Sequence, residues 1–187
     1  DLNLLGRFLA LAILAIGLVL IWGHGGILSL GQGVFFGLGG YAIAMHMKLA
    51  DLPEGELPDF MVWSGVETLP LIWRPFENPI TAILATVAIP GILGALFAWL
   101  VFNRRVSGTY FALISQALAL AFATLLVSRQ DWTGGFNGLT NFSSLFGRPL
   151  SSPGFPSALY WIALALLCAC FVGLNWLISS QFGVMLR

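Results

Sequence analysis

Hydrophobic positions gather into five long runs along the chain, separated by polar stretches of unequal length. Residues 4–22 are apolar apart from Gly6 and Arg7, and a helix needs about 20 such residues to cross the hydrocarbon core of a bilayer. A first membrane-spanning helix is predicted there. Residues 27–47 carry no formal charge but are crowded with glycine (Gly31, Gly33, Gly37, Gly39, Gly40) and polar at Ser29 and Gln32. That pattern predicts a second helix that is broken or closely packed. Residues 80–102, 109–127 and 157–178 supply three further spans. Pro79 suits the first turn of the third, where its missing N–H costs little.

The two long polar stretches differ in chemistry. Residues 51–78 hold six of the eight acidic residues, together with Phe60, Trp63, Trp73 and Phe76, and read as an aqueous loop with interfacial aromatics. Residues 129–156 are rich in Gly, Asn, Ser and Pro and read as a second long loop. The shortest connection, Asn103-Arg104-Arg105, carries paired arginines, which by the positive-inside rule mark the cytoplasmic side. Both long loops and Asp1 are then expected outside and Arg187 inside, with Arg7 as a single violation.

Composition strengthens the membrane reading. Of the 187 residues 58% are hydrophobic and only 9% charged, against about 25% charged in soluble domains. The fold class expected is therefore all-α, a polytopic helical membrane protein with about five transmembrane segments, some broken or kinked, forming one transmembrane domain over residues 1–187. The formal net charge is zero, so no basic surface exists to collect phosphates and a nucleic-acid partner is excluded. Cys168 and Cys170, two residues apart, project about 200° apart on a helix, so neither an internal disulfide nor a metal pair is expected from them. His24 and His46 lie near opposite ends of the second run, which argues against a shared metal site. The first run has no cleavage-like site after it and reads as a span rather than a removable signal. The abrupt Asp1 and Arg187 suggest a piece of a longer protein.

Within the spans no charged residue lies near a centre, which disfavours ion coupling in this segment. Ser29, Gly33, Gly37, Gly40 and Ala44 follow spacings of four, four, three and four and share one helical face. Small residues there either let another backbone approach or break the helix and present backbone groups to a solute. Pro90 near the middle of the third span frees the carbonyl of Thr86 and predicts a kink or discontinuity. Gln116, beside Ser115, is the one large amide near the centre of a span and needs donors and acceptors that lipid lacks. It serves either an interhelical hydrogen bond or a polar pathway. Ser29, Gln32, Ser115 and Gln116 are the candidate solute-pathway residues; Gly33, Gly37, Gly40 and Pro90 are the candidate packing or break positions. No G-x-S-x-G or orienting carboxylate supports a Ser29–His24 hydrolase, so no catalytic residue is assigned and no enzyme activity is expected.

The run Trp22-Gly23-His24-Gly25-Gly26-Ile27-Leu28-Ser29-Leu30-Gly31-Gln32-Gly33-Val34-Phe35-Phe36-Gly37-Leu38-Gly39-Gly40-Tyr41-Ala42 resembles the signature of LivM-type permeases, the membrane subunits of branched-chain amino-acid and urea ABC importers. Residues 56–61, 107–118 and 133–140 look like the urea branch, with Gln116 and the Gly39-Gly40 pair as distinguishing features. Gln32 stands where many members carry histidine. Residues 180–187 resemble the start of the cytoplasmic loop through which such permeases touch their ATPase, which implies a coupling role for Ser180, Phe182, Gly183 and Arg187.

The resemblance implies a bacterial inner-membrane subunit that lacks an upstream helix, most of the coupling loop and the helices after it. Its implied partners are a second permease subunit, two ATP-binding subunits, a periplasmic substrate-binding protein and the lipid bilayer. ATP and Mg would act in those partners and no cofactor in this subunit, since no G-x-x-x-x-G-K-[ST] occurs in the chain. Urea is the expected solute and a branched-chain amino acid the alternative; a structural subunit of a membrane complex is a remote one.

Overall fold

The computed structural model describes residues 2–53, 55–104 and 108–180. Helix α1 (Leu2–Val19) continues through one π-helical turn, Leu20–His24. The chain then leaves helical geometry until α2 (Gln32–Ala50). Gly26 makes this exit possible: its φ of +62° lies in the left-handed region where a Cβ is penalised. That turn lets the Ile27 N–H donate back to the Ile21 carbonyl at 3.2 Å. The predicted second span is thus corrected at its start, because residues 27–31 are not helical. The break precedes Gly33, Gly37 and Gly40, which all lie inside the continuous α2.

After α2 come the short α3 (Asp59–Trp63), a 3-10 turn at Arg74–Glu77, and α4 (Pro79–Asn103). Pro79 occupies the first turn as predicted, and Asn78 caps it by accepting from the Ile80 N–H at 2.9 Å. Of the kink or discontinuity expected at Pro90, the discontinuity is absent, since α4 is helical throughout. Helix α5 (Thr109–Ser128) leads to a single turn, α6 (Gln130–Thr133), a hairpin of β1 (Ser144–Leu145) and β2 (Arg148–Pro149), and α7 (Phe155–Ser179). Among the described residues four helices are long and apolar enough to cross a membrane: Leu2–His24, Pro79–Asn103, Thr109–Ser128 and Phe155–Ser179. The expected fifth, α2, is not one of them. Gln32, His46, Lys48 and its glycines dilute its apolar character.

Helix α1 lies against α7, and α2 lies against α4. The Leu2 end of α1 and the Pro156 end of α7 border one hollow, so these two helices run parallel. Helices α2 and α4 run antiparallel, because Phe35 meets Gly94 while Gly39, one turn further along α2, meets Thr86. The Thr86 carbonyl, which the Pro90 ring leaves without its helical donor, is 3.0 Å from the place a Cβ on Gly39 would take. Proline on one helix and glycine on the other therefore build a single close contact.

The main cluster of buried apolar side chains lies toward one end of the bundle. Ala42, Met45, Phe60, Met61, Phe76 and Ala82 cluster where the end of α2 meets α3, the 3-10 turn and the start of α4. Water at this end drives apolar groups together, whereas the long spans leave large residues such as Val87, Trp99 and Trp176 exposed on their outer faces, as lipid or a partner helix requires. Polar ties close the cap. The His46 Nδ1–H donates to the Phe76 carbonyl at 2.8 Å, and Lys48 Nζ pairs with Asp59 Oδ1 at 2.9 Å. Asp51 accepts from the backbone N–H of Ser144 at 2.9 Å and from the Ser143 hydroxyl at 2.7 Å. The two long loops thus fold onto each other over the end of α2.

Candidate functional site

The break between α1 and α2 opens onto a cleft of about 470 Å³ walled by α1, residues 27–29, α2, α4 and α5. Among the described residues its polar side chains are Ser29 and Gln32; the rest of the wall is aliphatic, aromatic or glycine. Gly17 of α1 makes room for the Gln32 amide, whose Oε1 lies 3.6 Å from where a Cβ on Gly17 would stand. Ser29 is 6% exposed, and its hydroxyl has no hydrogen-bond partner among the described residues. At the floor, Phe111 of α5 meets two rings of α4, edge-on with Phe97 at 5.9 Å and stacked with Phe102 at 5.6 Å.

Ser115 stands behind this wall rather than in it. Only 1% exposed, its hydroxyl accepts from the Leu30 N–H at 3.0 Å and donates to the Ala112 carbonyl at 2.9 Å. Its one proton and one of its two acceptor sites are spent inside the protein, and its burial keeps a solute from the other. The bond satisfies a backbone donor freed by the break, where an unpaired group in an apolar setting is costly. Gly31 completes the contact: a Cβ there would fall 2.7 Å from the Ser115 carbonyl oxygen. Ser115 is therefore a latch that fixes the unwound segment to α5. Ser115→Ala is expected to lower thermal stability by about 1–3 kcal/mol, the cost of a buried donor left unpaired. Ser115→Thr, which keeps the hydroxyl, should recover most of it in a thermal-unfolding assay of the purified transporter.

The four candidate pathway residues are thus divided. Ser29 and Gln32 share the cleft, Ser115 holds its wall, and Gln116 is exposed on the outer surface of α5, without a hydrogen-bond partner among the described residues. Gly33, Gly37 and Gly40 are likewise not packing positions within this chain, since a Cβ on any of them would meet no atom within 4 Å. Gly33 and Gly37 instead border a hollow against Ala119, Phe122 and Ala123 of α5. The close approaches belong to Gly31 and Gly39, which periodicity along α2 does not distinguish from their neighbours. The aromatic floor was also hidden in the sequence, because Phe97, Phe102 and Phe111 come from two helices whose contact no local pattern encodes.

At the far end of the molecule from the polar cap, Arg104 is exposed just beyond α4, and the Ser180 hydroxyl closes α7 by donating to the Leu177 carbonyl at 2.6 Å. Arg105, Phe182, Gly183 and Arg187, named above for topology and coupling, lie outside the described residues. Cys168 and Cys170 are both exposed on α7. No three His, Cys, Asp or Glu side chains gather into a metal-binding group among the described residues.

Comparison with known proteins adds the family. No curated protein and no solved structure matches the chain. The family described as branched-chain amino acid transport system / permease component matches residues 2–187, the whole of the helical structure just described. The chain belongs to this family of membrane permease components.

Proposed function

We propose that this chain is the membrane-spanning subunit of a binding-protein-dependent ABC importer and that its solute is a branched-chain amino acid. The observation that carries the solute is the cleft at the helix break. Its two polar side chains and otherwise aliphatic and aromatic wall suit a solute with a compact polar head and a branched apolar body, because apolar surface contributes about 25 cal/mol per Å² when both sides leave water together. Urea has no apolar part and would leave its N–H groups facing rings and methyls. The features that resemble the urea branch lie elsewhere: Gln116 faces outward, and Gly39 is closed off by Thr86.

The rest of the reading follows from family and charge. The end bearing Arg104 faces the cytoplasm of a bacterial inner membrane, and the acidic cap faces the periplasm, where a binding protein delivers solute. The chain carries no nucleotide motif, so ATP and Mg act in separate ATPase subunits. These dock on the segment that begins at Ser180 and whose sequence continues through Phe182, Gly183 and Arg187, with a second permease subunit alongside. The test is uptake by the complete transporter of labelled leucine and labelled urea at low concentration. Saturable, ATP-dependent leucine uptake is expected. Urea uptake without leucine uptake would reverse the assignment of solute.

A further inference from the structure

From the geometry of the helix break we infer that the start of α2, with the hydroxyl of Ser29 on the cleft wall, is a subsite for the carboxylate of the transported solute; this rests on the transport reading above. Helix α2 has 19 residues, long enough for its aligned peptide dipoles to place a partial positive charge at Gln32. No side chain caps it, since its N-cap is Gly31. Among the described residues the N–H groups of Gly31, Gln32 and Gly33 have no acceptor. That of Val34 folds back to the Gly31 carbonyl at 3.1 Å, and that of Leu30 is taken by Ser115.

A free helix start alone would name no ligand. Ser29 is the second observation. It is 94% shielded from solvent, as its 6% exposure requires, it lines the cleft beside Gln32, and its hydroxyl has no partner in the described chain. The hydroxyl is a donor on a largely apolar wall, and an oxygen acceptor from a solute supplies its partner. Among the described residues the cleft wall contains no Lys, Arg or His, so the helix start supplies positive potential there, and backbone donors of this kind bind carboxylates in other broken transporter helices. The π-helical end of α1 lies across the break with the opposite sign, which suits the ammonium of the same zwitterion. Ile13, Ile21, Ile27 and Phe35 then surround the aliphatic part.

The test uses the purified assembled transporter without its binding protein, so that only the membrane subunits select the ligand. Binding of labelled leucine is measured alone and against leucinamide, which has the same body and amine but no carboxylate. Wild type is expected to prefer leucine. Ser29→Ala should weaken leucine about tenfold, the effect of one hydrogen bond to a charged group, and leave leucinamide nearly unchanged. Ser29→Asp places a fixed negative charge at the helix start and should invert the preference. Ser29→Thr, which keeps the hydroxyl, should restore wild-type selectivity. Equal weakening of both ligands in Ser29→Ala and Ser29→Asp, or an unchanged ratio, would overturn the subsite. If the complete transporter still took up leucine, the transport reading would stand without it. Absence of leucine uptake by the wild-type transporter would overturn both.

Discussion

Replacing Gly31 with valine is expected to abolish solute uptake and to reduce the amount of correctly folded transporter recovered from membranes. The first added carbon would lie 2.7 Å from the carbonyl oxygen of Ser115, a backbone atom within α5 that no side-chain rotation can move away. The break segment must then withdraw from α5. That separation lengthens the Leu30 N–H to Ser115 bond and turns Ser29 and Gln32 away from their places on the cleft wall. Overpacking of this kind costs about 1–3 kcal/mol, and an unpaired backbone donor adds about 1–3 kcal/mol. Gly31→Ala should show the same defect in milder form. Gly33→Ala and Gly37→Ala, where nothing lies within 4 Å of the new carbon, should preserve the fold of this chain. Uptake of labelled leucine, with the folded fraction measured by size-exclusion chromatography, separates the three positions. A Gly31→Val transporter with normal yield and uptake would show that the close contact with Ser115 does not matter.

Asp59→Ala is expected to be the most damaging single change in the polar cap. The Lys48 side chain is only 9% exposed and Asp59 is its ion-pair partner at 2.9 Å. Removing the carboxylate strands a shielded ammonium, and breaking a fully buried pair costs about 3–5 kcal/mol. Since the Asp59 side chain is 32% exposed, solvent screening reduces the expected loss to about 2 kcal/mol. Asp59 also accepts from the Phe60 N–H at 3.0 Å, at the start of α3, and from Asn141 Nδ2 at 3.4 Å in the second long loop, so both loops should loosen together. Thermal unfolding and limited proteolysis of residues 129–154 would register it. The double variant Lys48→Met/Asp59→Leu should be more stable than Asp59→Ala, because it removes the stranded charge.

Acid should act on the same ties. Burial works to raise the Asp59 carboxyl, but the bonds from Lys48 and the Phe60 N–H and the Lys48 charge outweigh it and hold it below its ordinary value. At Asp51 burial is likewise outweighed, there by the hydroxyls and N–H groups of Ser144 and Ser143. A carboxyl lowered in the folded state stabilises that state above its unfolded value, about 3.9. The contribution is lost as pH falls below that value and through the lowered folded one. The cap should therefore remain closed at neutral and mildly acidic pH and open to protease below about pH 4. Asp59→Ala should show a smaller acid-dependent change than wild type.

Much of the architecture was legible in the sequence because the bilayer imposes a simple rule: a spanning segment must be apolar over its whole length and must satisfy its own backbone. Residues 4–22, 80–102, 109–127 and 157–178 met that rule, and each lies within a helix of nearly those bounds. The glycine-rich motif left a broken helix and a closely packed one both open; the structure shows the break before α2, and Ser29 and Gln32 border the cleft there. The position of the break was not legible. Its geometry turns on which glycine takes a left-handed φ, Gly26, and which one touches a neighbouring backbone, Gly31. All the glycines of that stretch are locally alike.

Tertiary structure alone decided what each polar residue in the spans does. Ser115 and Gln116 are adjacent on α5 and therefore point about 100° apart. One closes a hydrogen bond onto the break, while the other faces away from the chain. Hydropathy weighs both as polar residues in an apolar run and cannot separate them, because the difference lies in which helix stands opposite. The sequence by itself determined that the chain is a bundle of membrane helices with its charge at the ends. The pairing of α1 with α7 and α2 with α4, and hence the cleft at the helix break, arose from contacts between segments far apart in the chain, which no periodicity along one segment records.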